Sequence, residues 1–416
     1  MIPQEGAAQN RWPTIQRAYK TKLVVNNREA NYFRGCAGLA RFVYNWGLIE
    51  AKLWYEETGK TPSPRNVLKK EFNAIKGAWF PWTADYPYAI LQSAFDDLDA
   101  AFKNFFRRVK AGDPEPGYPR FKARGRDMSF RFVGGGIRVE EARVKLPRIG
   151  WVRLAERGYL PVGVDVNSAT ISYRAGHWCI SIQVEEPAPE PVDLRPVTLG
   201  VELGVRLAAV VTEATRDGTL GNATIYDNPR VLDKHAKKLS RLQRELSRRQ
   251  KGGANWRKTQ AKIAKLHARI TDTRNHAQHN VSAAIVRRRP ERIVVAGHNV
   301  AEMMKRPEPV QAEDGHYERN DAERTRPLRR KMADAGMGEL RRQIGYKAGW
   351  VGIQVEEPEA YYPATRTCSA CGTVNAELPL SETILHCAGC GAALDRDVNA
   401  SRNLARLAIA NPPDSE

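Results

Sequence analysis

Residues 368–403 read CSACGTVNAELPLSETILHCAGCGAALDRDVNASRN, and the rest of the chain is organised around them. Cys368, Cys371, Cys387 and Cys390 form C-x2-C-x15-C-x2-C. Each CxxC presents two thiolates from one tight turn, and two such turns make a tetrahedral cage suited to zinc. Four thiolates leave no open coordination position, so a bound zinc is expected to be structural. A disulfide reading is poor for a chain of cytosolic character. Directly behind the last cysteine, Asp395 and Asp397 open a helix expected from about 396 to 409.

Upstream of this stretch the pattern alternates between buried strands and helices. VTLGVELGVRLAAVVTEA (197–214) reads as strand, turn, strand, with the near-continuous apolar run of a central strand. ERIVVAGHNV (291–300) is a second buried strand, and a third is expected at 351–357 after a helix at 330–350. Between them, residues 229–289 read as two long basic helices joined by KGGANW, with Leu239, Leu242 and Leu246 on the first and Ile263, Leu266 and Ile270 on the second. Residues 305–329 are polar and irregular, and read as a mobile loop. EEPAPEPVDLRP (185–196), rich in proline and acid, reads as a linker and a domain boundary.

The N-terminal half has a different texture. TIQRAYKTKLVV (14–25) is a strand, and residues 117–188 alternate with period two between Gly, Pro and Asn turns, which suggests a small β-barrel. The helical pattern over 30–111 then reads as an insertion into that barrel. Its closing segment carries Leu91, Ala94, Phe95, Leu98, Phe102, Phe105 and Phe106, an aromatic stripe expected in the core. Core packing is also the expectation for Trp46, Trp79, Trp82 and Trp256, with base stacking the alternative for Trp79 and Trp82 in their Pro-rich turn, and for the lone thiols Cys36 and Cys179.

Charge points to the partner. Lys and Arg number 66 against 47 Asp and Glu in 416 residues, a net charge of +19. A surplus of that size favours a polyanion, DNA or RNA, as partner. Arg107, Arg108, Lys122 and Arg124, and the cluster Arg248, Arg249 and Lys251, are the expected backbone contacts. No apolar run approaches the ~20 residues of a membrane span. The opening MIPQEGAAQNRWP has no signal-peptide or transit pattern, so a cytoplasmic setting is expected.

Taken together, these motifs resemble the TnpB proteins encoded by insertion sequences and their descendants, the type V CRISPR effectors. CAGLARFVYNWGLIEAKLWYEETGK resembles the family's first helices, and FDDLDAAFKNFFRR with YPRFKARG the join to the second half of its barrel. LGVELGVRLAAV is similar to its first nuclease motif. IVVAGHNV stands at the second, and the CxxC pairs followed by DRDVNASRNLA match its zinc ribbon and third motif. The resemblance implies an α+β multidomain protein. A wedge-type β-barrel would span 14–28 and 112–188, with a helical recognition insertion at 29–111. An RNase H-like (RuvC) α/β domain would span 189–363 and 393–410, with a zinc-ribbon target-nucleic-acid-binding domain inserted at 364–392.

In that family an RNA guide pairs with target double-stranded DNA beside a short flanking motif, and the RuvC domain cuts. Cutting by two metal ions needs carboxylates that hold two Mg²⁺ about 3.5–4 Å apart. The family's first Asp is matched by Glu202, between Gly200 and Gly204, which moves the oxygens out by roughly 1.5 Å, one carbon–carbon bond. The family's Glu is matched by Ala296, which cannot ligate a metal. The third acid is matched by Asp397, with Asp395 beside it. Glu202 and Asp397 would hold at most one residual Mg²⁺, and His298 is expected to be a structural hydrogen-bonder rather than a substitute ligand. The resemblance thus implies an RNA-guided DNA binder that silences without cutting, in a bacterial, nucleoid-associated setting. The alternatives are an active RNA-guided nuclease and an unguided nucleic-acid-binding protein.

Overall fold

The computed structural model describes residues 14–410 apart from 126–127, 190–191, 298, 309–310, 313–315, 317–321, 360–361, 377 and 379–381. His298 therefore lies outside the described residues, as does part of the segment expected to be an irregular loop. The chain divides into two units, Met1–Pro187 and Ala188–Glu416. Glu185–Pro187, expected in the linker, instead continue a strand, because Gln16 pairs with Glu185 and Thr14 with Pro187 across the sheet.

The first unit runs β1 (Thr14–Val24), α1 (Asn27–Thr58), α2 (Lys69–Trp79), α3 (Tyr88–Lys110), β2 (Ser129–Val133), β3 (Arg138–Glu140), β4 (Arg143–Leu146), β5 (Gly150–Leu154), β6 (Val166–Arg174) and β7 (His177–Pro187). Asn26 and Glu29 form a reciprocal capping box that starts α1, and Gly59, at φ 68°, ends it in the left-handed region. The helices are an insertion, since β1 pairs only with strands that follow them.

The strands form one seven-stranded sheet in the order β2-β6-β7-β1-β5-β4-β3. This corrects the closed barrel expected from the sequence: β2 and β3 are edges, and the sheet stays open. Thr14–Lys22 of β1 pair with β7, whereas Leu23 and Val24 pair with β5, so the strand passes from one half of the sheet to the other. The β2 edge is covered by a helix instead of a strand. The Ser93 hydroxyl of α3 donates to the Arg131 carbonyl at 2.8 Å, and Phe33 of α1 packs edge-on against Phe130 at 5.6 Å. A covered edge needs no partner strand.

The aromatic stripe of α3 is split by its position. Phe95 and Phe102 are buried, but Phe106 is 46% exposed where the helix outruns the sheet. Trp79, expected in the core, is 74% exposed at the end of α2.

The second unit runs β8 (Arg195–Leu203), β9 (Leu207–Thr215), β10 (Thr224–Asp227), α4 (Val231–Ser247), α5 (Ala254–Val286), β11 (Pro290–Val295), α6 (Val300–Met303), α7 (Ala322–Ala335), α8 (Met337–Trp350), β12 (Gln354–Glu356), β13 (Ile384–His386), β14 (Ala393–Asp395) and α9 (Arg396–Ala410). Five strands order as β10-β9-β8-β11-β12. The first three are antiparallel, and β8, β11 and β12 are parallel. Alternation sorts the central strands by face. Leu199, Val201, Leu203, Ile293 and Val295 join one core with Ile285, Leu340 and Ile344. Val294 and Ala296 join the other, with Ala364, Ala400 and Leu404. The strand expected over 291–300 stops at Val295, and Asn299 caps the short α6 by accepting from the Glu302 amide at 3.1 Å.

Candidate functional site

The site forms where α9 crosses the ends of β8 and β11. The helix lies so close to β8 that a Cβ on Gly200 would fall 2.1 Å from the Ser401 carbonyl oxygen and 2.2 Å from the Ala405 nitrogen. On β9, the Thr212 and Ser401 hydroxyls share a buried hydrogen bond of 2.7 Å. These contacts set the N-terminus of α9 over the C-terminal end of β8. Glu202, two residues after Gly200, therefore lies on the α9 face of the sheet, and it is only 5% exposed.

The two aspartates at the start of α9 have different duties. The Asp395 carboxylate accepts from the Asp397 amide at 3.0 Å and the Val398 amide at 3.1 Å, as a helix cap does. Asp397 is 7% exposed and, with Glu202, lines a cavity of about 750 Å³. Geometry thus separates the pair that the sequence left together.

Arg206, in the turn after β8, joins both aspartates. Its Nη2 lies 2.8 Å from one oxygen of Asp395 and 2.8 Å from Oδ2 of Asp397, and its Nε reaches that same Oδ2 at 3.2 Å. Partial burial works against the guanidinium charge. The Asp397 hydrogen bond and the two carboxylates outweigh it and raise the Arg206 pKa. Sequence reading missed this residue; its signal was a lone Arg four positions after Glu202 in an otherwise apolar run.

Ala296 follows β11 directly. Its amide donates to the Val201 carbonyl at 2.9 Å, which continues the ladder by one residue and sets it beside Glu202. Its side chain is 4% exposed and packs with Ala364, Ala400 and Leu404. The structure thus brings Glu202, Ala296 and Asp397 to one face of the sheet at the N-terminus of α9.

The four cysteines also converge. Their sulfurs lie within 4.8 Å of one another, with Cys368 and Cys390 3.8 Å apart and Cys371 and Cys387 3.5 Å apart. Four thiolates at about 2.3 Å from a tetrahedral zinc would stand about 3.8 Å apart, so the donor set fits a metal such as zinc. The knuckles are stapled to α9. The Asn399 side chain accepts from the Ser369 amide at 2.7 Å and donates to the Thr367 carbonyl at 2.7 Å. Asn403 donates to the same Thr367 carbonyl at 2.6 Å and to Ala364 at 2.8 Å.

The expected phosphate-contacting residues fall in three places. Arg107 and Arg108 are exposed in the last turn of α3, and Arg124 is exposed beyond it. Lys122 is held in place: its backbone exchanges two hydrogen bonds with the Asn45 side chain, at 2.8 and 3.0 Å, and its Nζ lies 3.6 Å from Asp97. At the turn between α4 and α5, Arg248 and Lys251 are exposed, whereas the Arg249 guanidinium is bound to Glu245 and to the Asn255 carbonyl.

Comparison with known proteins gives this arrangement a family. Residues 181–307 match the IS605 OrfB family, described as "Probable transposase", and residues 338–404 match the Cas12f1-like TNB domain. Residues 15–60 match a helix-turn-helix domain of the same OrfB family. InsQ of Escherichia coli (strain K12), named a candidate RNA-guided DNA endonuclease, is 33% identical over 391 residues, covering 93% of this chain and 91% of InsQ. The chain belongs to the TnpB and type V effector family. A Streptomyces pristinaespiralis relative with the same candidate designation is 28% identical over 411 residues, covering 95% of this chain and 90% of the relative. The Cas12f1 chain of a complex with sgRNA and target DNA shares the fold at a TM-score of 0.52 and 12% identity, covering 92% of this chain and 83% of that one.

For a TnpB-family site the test is whether the residues fit a divalent metal pair. Here they do not. Among the described residues, the four cysteines are the only group of three or more His, Cys, Asp or Glu with ligand atoms mutually within 4.8 Å. Asp395 caps a helix, Ala296 offers no oxygen, and Arg206 holds Oδ2 of Asp397. Mg²⁺ demands near-ideal octahedral oxygen geometry, and the alanine at 296 takes one carboxylate out of the set. Among the described residues, no helix is long and apolar enough to cross a membrane.

Proposed function

We propose that this TnpB-family protein is an RNA-guided binder of double-stranded DNA that holds its target without cutting it, and so silences or blocks it. The observation that carries this reading is Ala296. It stands beside Glu202 on the face that meets α9, in an apolar cluster where a carboxylate would be needed. Losing one ligand of a two-metal site removes more than position alone, and a misplacement of 1 Å already costs about 10²-fold in rate.

The guide would supply sequence specificity by base pairing, while the protein would grip the heteroduplex through its backbone. The net charge of +19 supports such a role, as do the exposed Arg107, Arg108, Arg124, Arg248 and Lys251. The five-stranded order with antiparallel β10, β9 and β8 and parallel β11 and β12 supports a RuvC-type domain, into which the cysteine module is inserted as a structural zinc ribbon.

The names of the relatives favour a second reading, an active endonuclease. One experiment separates the two. The protein, purified with its guide RNA, is offered duplex DNA carrying the matching target and a randomised flank, with Mg²⁺. Sequence-specific retention with intact strands is the expected result; guided strand breaks would replace the proposal with the second reading. Retention that ignores the guide would instead point to an unguided nucleic-acid binder.

A further inference from the structure

The start of α9 poses an electrostatic problem. Asp395 and Asp397 stand two residues apart, and both carboxylates meet the Arg206 guanidinium, with Asp397 only 7% exposed and its other oxygen 3.7 Å from the Arg396 Nε. Two carboxylates held on one side chain repel each other unless a cation stands between them. The family's solution is a divalent ion, which these residues do not fit. The chain supplies a cation of its own.

Arg206 is built to stay there. Gly204 makes the turn tight: a Cβ on it would lie 3.1 Å from the Leu207 carbonyl oxygen. The turn's carbonyls are held from the next segment, Val205 by the Asn228 side chain at 2.9 Å and Arg206 by the Arg230 guanidinium at 3.4 Å. Val205 packs against the core beneath. With its backbone pinned, Arg206 directs a planar fork onto both aspartates. Guanidinium is always charged in proteins and meets carboxylates in a fixed geometry, so it is a permanent countercharge.

We propose that Arg206 is the resident cation of this site. It takes the place of the divalent ion and clamps the β8–β9 turn to the end of β14 and the first turn of α9. The inference rests on the non-cleaving reading, and it adds that the site is closed to metal rather than merely short of one ligand. Asp395 and Asp397 are then structural anions, and the docking of α9 is independent of Mg²⁺.

The test uses the full-length protein with its guide RNA and Mn²⁺ as the probe. Bound Mn²⁺ is read by electron paramagnetic resonance and stability by thermal unfolding, with strand breaks scored on the same samples. Because RNA itself binds Mn²⁺, the site's share is taken as the part removed by Asp397→Asn. For the unmodified protein we expect no such share, and an unfolding temperature that Mn²⁺ shifts no more than it shifts that of Asp397→Asn.

Arg206→Met should unfold at lower temperature, bind Mn²⁺ at least about tenfold more tightly at the site, and regain part of its stability when Mn²⁺ is added. Adding Asp397→Asn to Arg206→Met should abolish that gain. If Arg206→Met cannot be recovered folded, Arg206→Lys carries the test. Its point charge cannot span both carboxylates, so Mn²⁺ affinity should rise measurably, and unchanged affinity would overturn the inference. Mn²⁺ bound at Asp397 in the unmodified protein, with DNA left intact, overturns the clamp alone. Guided cuts by the unmodified protein overturn the non-cleaving reading.

Discussion

The amide of Ala296 donates to the carbonyl of Val201 at 2.9 Å, and this bond places a methyl group beside the buried carboxylate of Glu202. A glutamate at 296 would send its carboxylate among Ala364, Ala400 and Leu404. Ala296→Glu is expected to cost about 1–3 kcal/mol, as a polar group buried without a partner does. Denaturant unfolding measures it. The single change is also expected to leave guided DNA uncut, because Arg206 still covers Asp397. Cleavage by this variant would show that Ala296 alone had silenced the site.

The contact between Gly200 and α9 predicts the most damaging small substitution. Gly200→Ala drives a methyl into the backbone of Ser401 and Ala405, which cannot yield as a flexible side chain would. The expected loss exceeds about 3 kcal/mol, above the usual range for overpacking. Gly218→Ala is a control of a different kind. It has open space but φ +87°, so its cost comes from backbone strain alone. Comparing the two by unfolding separates close approach from strain.

Cys368, Cys371, Cys387 and Cys390 predict one tightly held zinc per chain, measurable by metal analysis. Cys387→Ser should lose it. Thiolates must be deprotonated to bind, so a chelator should remove the metal more readily as pH falls.

Asn399→Ala leaves all four sulfurs but orphans the Ser369 amide and removes a donor from Thr367. A cost of about 1–3 kcal/mol is expected, with faster zinc release as the knuckles loosen from α9. Release at the unmodified rate would show that the ribbon holds its shape without that staple.

The basic turn between α4 and α5 predicts a division of labour. Replacing Arg248 and Lys251 by Ala should weaken nucleic-acid binding alike for all sequences, and should reduce the slope of log affinity against log salt by about 2. Arg249→Ala should instead lower thermal stability, since its guanidinium already holds Glu245 and the Asn255 carbonyl. A salt slope that falls only with Arg249 would reverse these assignments.

Much of this protein was legible along the chain because its signals are local. The CxxC spacing named four ligands that the fold brings together. Period-two texture located the strands of the first unit, and the apolar runs 197–214 and 291–300 identified the centre of the second sheet. The reading erred where the answer depended on distant segments. Local alternation cannot show whether β2 meets another strand or the flank of α3, so an open sheet was read as a barrel. Helical spacing cannot show where α3 outruns its support, so Phe106 was assigned to a core that does not reach it.

The sequence by itself determined the inventory: which carboxylates, thiols and cations exist, and that position 296 holds an alanine. Only the tertiary structure decided their duties. It made Asp395 a helix cap and Asp397 a wall of the cavity, it turned Asn399 and Asn403 into staples, and it brought Arg206 across 191 residues of chain to Asp397. Spacing along a chain limits which neighbours are possible, but charge pairing and burial depend on distances in space, and those are set by how β8, β11 and α9 pack.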